Sequence, residues 1–114
     1  MSKKKYTIVA SSYDKRNRLI YSCTNSYTDS SSLMRYYAMK AGHPKKVFNH
    51  AEIRCLEVSI LKMKKVVDKI VVVRLDSNAN MKDAKPCEIC TLAIKDFGIK
   101  QVFYSTENGM QRLI

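Results

Sequence analysis

Four side chains of this sequence have types and spacing that could do chemistry together: His50, Glu52, Cys87 and Cys90. The cysteines lie in Pro86-Cys87-Glu88-Ile89-Cys90, at what reads as the start of a helix, where both sulfurs can turn toward one point. The positive end of a helix dipole favours thiolates, the form that binds metal. Taken alone, the pair fits half a zinc site, a redox dithiol or two buried cysteines. A redox role calls for a thioredoxin-like scaffold ahead of the first cysteine, and this pair stands late in the chain without one. A four-cysteine zinc site is awkward too, because Cys23 and Cys55 form no second close pair and suit core filling. The segment Asn49-His50-Ala51-Glu52-Ile53 tips the balance. With His50 the cysteines make three zinc ligands and leave a fourth tetrahedral position open, as catalytic rather than structural sites do. Glu52 is then a carboxylate beside the metal rather than on it, free to take a proton from water and pass it on.

The elements that must position these groups can be read along the chain. Residues 5 to 13 carry β-branched and aromatic side chains and predict a strand, and Asp14 to Asn17 a turn. Leu19 to Cys23 should be the hairpin partner. Thr28 to Ser32 offers N-caps for a helix over Leu33–Lys40, with Gly42 as its C-terminal cap. A second helix starts near His50, with Ile53, Leu56, Ile60 and Leu61 on its apolar face and Glu52, Arg54, Glu57 and Lys64 on its polar face. Ile70 to Leu75 shows little alternation and reads as a central strand buried on both faces. Ser77 to Lys85 reads as a loop. Pro86 should open a third helix at its first position, Gly98 should end it, and Ile99 to Tyr104 should be a strand parallel to the previous one. Met110 to Ile114 reads as a short edge strand. The pattern is layered α/β with a mixed sheet, antiparallel at its start and parallel later.

The 114 residues suffice for a single domain, 1–114, with one core. No apolar segment is long enough for a signal core or a membrane span, so the reading is a cytoplasmic protein with no membrane partner. In that reducing setting four cysteines point to metal or chemistry rather than disulfides. Twenty-one Lys and Arg against ten Asp and Glu give a net charge of +11. Such an excess favours an anionic partner, a nucleotide phosphate or a nucleic acid, although the basic residues are scattered rather than gathered in one stripe.

His-x-Glu upstream of Pro-Cys-x-x-Cys is the signature of zinc deaminases. On these residues the chain resembles the cytidine and deoxycytidylate deaminase superfamily, and in particular its small phage and bacterial members. The hairpin from Tyr6 to Tyr27, the Ile70 strand and Ile99 to Tyr104 add to the likeness. The resemblance implies a three-layer cytidine-deaminase-like fold, about five strands with helices on both faces. It implies Zn2+ held by His50, Cys87 and Cys90, with Glu52 catalytic and Asn25 bonding the base or sugar. Ala51 and Tyr104 are expected beside the substrate, and the His-Ala-Glu form is similar to the deoxycytidylate, tRNA-adenosine and polynucleotide branches. A homo-oligomer is implied as well. Two features depart from the family pattern: no helix precedes the first strand, and no long C-terminal helices follow Tyr104.

The leading expectation is hydrolytic deamination of a cytosine-bearing nucleotide of the CMP or dCMP type. The alternative is a polynucleotide deaminase acting on adenosine in tRNA or cytosine in a single strand, with Tyr36, Tyr37 and Tyr104 available for stacking. A non-enzymatic zinc domain binding nucleic acid is the third reading, and Glu52 argues against it, since a structural site needs no such carboxylate.

Overall fold

The computed structural model describes residues 6–46 and 48–114. Lys3 to Lys5, the basic run and the first residue of the predicted strand, lie outside them. The elements run β1 (Thr7–Tyr13), β2 (Leu19–Thr24), α1 (Ser32–Lys40), α2 (Ala51–Leu56), β3 (Lys69–Leu75), β4 (Met81–Lys82), α3 (Glu88–Asp96), β5 (Gln101–Thr106) and β6 (Gly109–Arg112). Strand order is β2-β1-β3-β5-β6, with the two-residue β4 pairing beside β3. β1 is antiparallel to β2 and β3, whereas β3 and β5 are parallel, as a strand–helix–strand crossover requires. The α/β class and the mixed sheet therefore match the expectation.

Local chemistry sets the helix ends. Ser31 caps α1 by accepting the Met34 N–H at 3.1 Å. At its other end Gly42 adopts φ +81°, His43 N–H reaches Ala38 O, and Gly42 N–H reaches Met39 O, a Schellman pair. α3 ends in the same way, with Gly98 at φ +70° and bonds from Ile99 to Ile94 and from Gly98 to Lys95. Both glycines were marked as stops by sequence.

All three helices lie on one face of the sheet. Ile70 and Val72 of β3 and Val102 of β5 point into a single buried cluster with Met34 and Ala38 of α1, Ile53 and Leu56 of α2, and Ile89, Cys90 and Ile94 of α3. Ala10 and Ser12 of β1 pair with Val72 and Ile70 and so share that face. The other face carries Val9, Val71, Val73 and Phe103, all half-buried, and no helix covers it among the described residues. The expected helices on both faces are thus corrected to one helical layer on one sheet. β3 is central, but it alternates between buried and half-buried residues instead of being buried throughout.

Two further details depart from the sequence reading. α2 does not continue as a regular helix: it widens into a π-helical segment over Glu57–Lys62, in which buried Ser59 lies 2.7 Å from the Ser12 hydroxyl of β1. Lys64 falls beyond that segment at φ +58°. The expected loop after β3 contains β4, which pairs Lys82 with Arg74 and Met81 with Leu75 where β5 has stopped pairing with β3. Ser105 bridges this fork, accepting the Arg74 N–H at 2.9 Å and donating to Lys82 O at 2.7 Å.

Met34 is fully buried and Val66 is 84% exposed. Met34→Ala should lower the unfolding free energy by about 2–5 kcal/mol, and Val66→Ala should change it by less than about 0.5 kcal/mol. Denaturant titration followed by circular dichroism checks both.

Candidate active site

Two helix starts meet over the sheet. His50 is the N-cap of α2 and Cys87 the N-cap of α3, and neither side chain caps its own helix. Each is left free to face the other. Pro86 consequently precedes the cap rather than occupying the first helical position. The approach to His50 is pinned by Asn49, which is buried: its N–H donates to Asp29 O, its carbonyl accepts the Ser26 N–H, and its side-chain oxygen accepts from Ser31. Cys90 lies in the first turn of α3, fully buried.

His50 Nδ1 stands 3.2 Å from Cys90 Sγ and 3.4 Å from Cys87 Sγ, and the three donor atoms lie within 4.8 Å of one another. A tetrahedral zinc with sulfur at about 2.3 Å and nitrogen at about 2.0–2.1 Å has N···S edges of about 3.6 Å. One imidazole and two thiols at these separations fit zinc in both geometry and ligand softness.

The charges are arranged to suit it. The Cys87 thiol is pulled down to about 3 by the hydrogen bond from Cys90, with desolvation opposing and His50 helping. Cys90 is pushed well above the ordinary thiol value by that same bond and by burial. His50 is raised chiefly by its contact with the Cys87 sulfur. Glu52 was expected on the polar face of its helix, yet it is only 5% exposed. Burial raises its carboxyl above the usual carboxylate range, with its own backbone N–H, His50 and Cys90 working against that. A carboxyl so placed can hold a proton or give one up within reach of the metal position.

A cavity of about 510 Å³ opens over His50, Glu52 and Cys87. Asn25 lines it, and its side-chain oxygen accepts the Ile8 N–H at 3.0 Å, which leaves the amide N–H groups for a ligand. Ala51 is buried against Ala10 and Cys55, and its carbonyl accepts from the Cys23 thiol. Tyr104 packs against the hydrophobic core from β5 and does not line the cavity. Nor do Tyr36 and Tyr37, which meet edge-on on α1 with Tyr37 buried. The structure therefore brings His50, Glu52, Cys87, Cys90 and Asn25 together and leaves Tyr104 apart. Cys23 and Cys55 sit beside the second, smaller core cluster, as expected of filler.

Sequence reasoning did not single out Arg74, Lys45, Lys46 or Lys85, which also line the cavity. The signal was present for three of them: Lys45 and Lys46 closely precede the His50 motif, and Lys85 precedes Pro86. Arg74 is a charge at the end of an apolar strand.

The profile of the family described as the cytidine and deoxycytidylate deaminase zinc-binding region matches residues 2–106. No curated protein and no solved structure matches the chain.

Zinc uptake should release protons, chiefly from Cys90, whose thiol is raised and must ionise to bind, and least from Cys87, whose thiol is pulled down to about 3. Calorimetric titration in buffers of different ionisation enthalpy reads the number released. Because protonated His50 cannot ligate, zinc affinity should fall as pH drops through the raised His50 value. Cys90→Ser and His50→Ala should each leave less than one zinc per chain by elemental analysis.

Proposed function

The chain belongs to the cytidine and deoxycytidylate deaminase family and is a zinc deaminase, and we propose that it hydrolyses the amino group from a cytosine-bearing nucleotide of the CMP or dCMP type, giving the uracil product and ammonia. The observation that carries this reading is the buried Glu52 carboxyl beside three zinc donors at the floor of a cavity. His50, Cys87 and Cys90 hold the metal, and bound zinc supplies the Lewis acidity that lets water ionise near neutral pH.

The remaining steps fall to the chain's own residues. Glu52 accepts the proton of the attacking water and delivers it to N3 of the base, then takes the remaining proton of the added hydroxyl and passes it to the departing amine, so that the C–N bond breaks as the carbonyl forms. Its burial supports this, because a carboxyl with a raised pKa both takes and returns a proton without large cost. Asn25 offers its amide N–H groups to an acceptor on the base or sugar.

A polynucleotide substrate has its own support in Tyr27 and Phe48, two exposed rings that line the cavity. Against it, the tyrosines first considered for stacking lie elsewhere.

Zinc-loaded protein incubated with CMP or dCMP should yield UMP or dUMP and one ammonia per turnover. Glu52→Gln should retain zinc and lose at least about 100-fold in kcat. Turnover on tRNA or single strands with none on free nucleotides would select the second reading. Zinc-loaded protein inert on every cytosine substrate would refute the first.

A further inference from the structure

The cations that line the cavity are unpaired, as are most lysines and arginines among the described residues. Arg18, Lys40 and Lys82 each meet a carboxylate: Asp14 at 2.8 Å, Asp96 at 2.8 Å and Glu107 at 3.2 Å. Arg74, Lys45, Lys46 and Lys85 have no such partner among the described residues. The cavity's acidic side chains are Glu52, beside the metal donors, and Asp83, one of whose oxygens accepts the Lys85 backbone N–H.

Arg74 differs from the lysines in being held. Its guanidinium lies over the Tyr6 ring at 4.0 Å, and one terminal nitrogen donates to Asp83 O at 3.4 Å. Its Nε is buried and has no hydrogen-bond partner, the one such side-chain atom among the described residues. An unsatisfied buried donor on a permanent cation is costly, and native proteins rarely keep one without a use. The edge formed by Nε and the second terminal nitrogen is the side-on fork that grips a phosphate or carboxylate with two parallel bonds. Arg74 sits where β3, β4 and β5 part company and lines the cavity that holds Glu52.

We propose that Arg74 is the specificity-determining residue that binds a terminal phosphate monoester of the substrate, with Lys45, Lys46 and Lys85 as supporting charges, so that the enzyme takes nucleoside monophosphates in preference to nucleosides and to phosphodiesters. A monoester carries about −1.5 to −2 charge at neutral pH, whereas a diester carries one charge and chain on both sides. Four cations lining one cavity, one of them with an unpartnered donor, match the former. The identity of the base rests on the deaminase reading, but the phosphate contact does not.

Affinity separates the two. Zinc-loaded Glu52→Gln protein, which binds without turning over, is titrated calorimetrically with CMP, cytidine and a short cytosine single strand. CMP should bind about 10- to 100-fold more tightly than cytidine. Adding Arg74→Gln should remove most of that ratio, and Arg74→Lys should restore part of it. Inorganic phosphate should compete with CMP and not with cytidine, a readout that needs no Arg74 variant to fold. Equal affinities for CMP and cytidine, a ratio unchanged in a folded zinc-bearing Arg74→Gln protein, absence of phosphate competition, or a single strand bound above CMP would each overturn the proposal. Missing turnover in the zinc-loaded parent protein would refute deamination while leaving the affinity ratio to judge Arg74.

Discussion

The structure is organised around one demand: an imidazole, two thiols and a carboxyl must be held within a few ångströms of one another, with Cys90 and Glu52 buried, His50 half-buried and Cys87 open to solvent. His50 Nδ1 is 3.2 Å and 3.4 Å from the two sulfurs, and Glu52 is almost wholly buried beside them. In the bare donor set the Cys87 contact and burial raise the Cys90 thiol, and burial raises the Glu52 carboxyl. A divalent cation turns the same crowding into an attraction. Two helix starts aimed at one point add positive dipole ends to thiolate-forming groups.

That demand explains why α2 and α3 sit as they do. Cys90 belongs both to the donor set and to the main core, next to Ile89 and Ile94. The hydrophobic cluster that holds the helices to β3 and β5 therefore also fixes the site, and α1 with its Schellman end packs against α3 as a brace. Among the described residues the helices gather on one face, and the other face of the sheet is half-exposed.

Above the donors the sheet opens. β5 stops pairing with β3 after Tyr104, β4 takes its place, and Ser105 ties the three strands at the fork. The gap admits Arg74 from the end of β3 to the cavity wall. Open α/β sheets commonly place ligands at the carboxyl ends of their strands, and this fork is a local instance.

The sequence by itself determined what covalent spacing and local propensity control. His50, Glu52, Cys87 and Cys90 were legible because each motif lies within a few residues at a helix start, and Gly42 and Gly98 because only a left-handed residue suits those ends. The parallel direction of β3 and β5 followed from crossover length. Tertiary structure decided the rest, for reasons of contact between distant segments. Glu52 falls on the polar face of its helix by periodicity and is nevertheless buried at the cavity floor. Tyr104, expected beside the substrate, packs against the core because β5 turns it toward the helices. The π-helical segment, the two-residue β4 and the single helical layer leave no pattern of their own in a linear chain. Arg74 carried no signal either, since an arginine at a strand end acquires its meaning from the ring, the carbonyl and the cavity that folding brings to it.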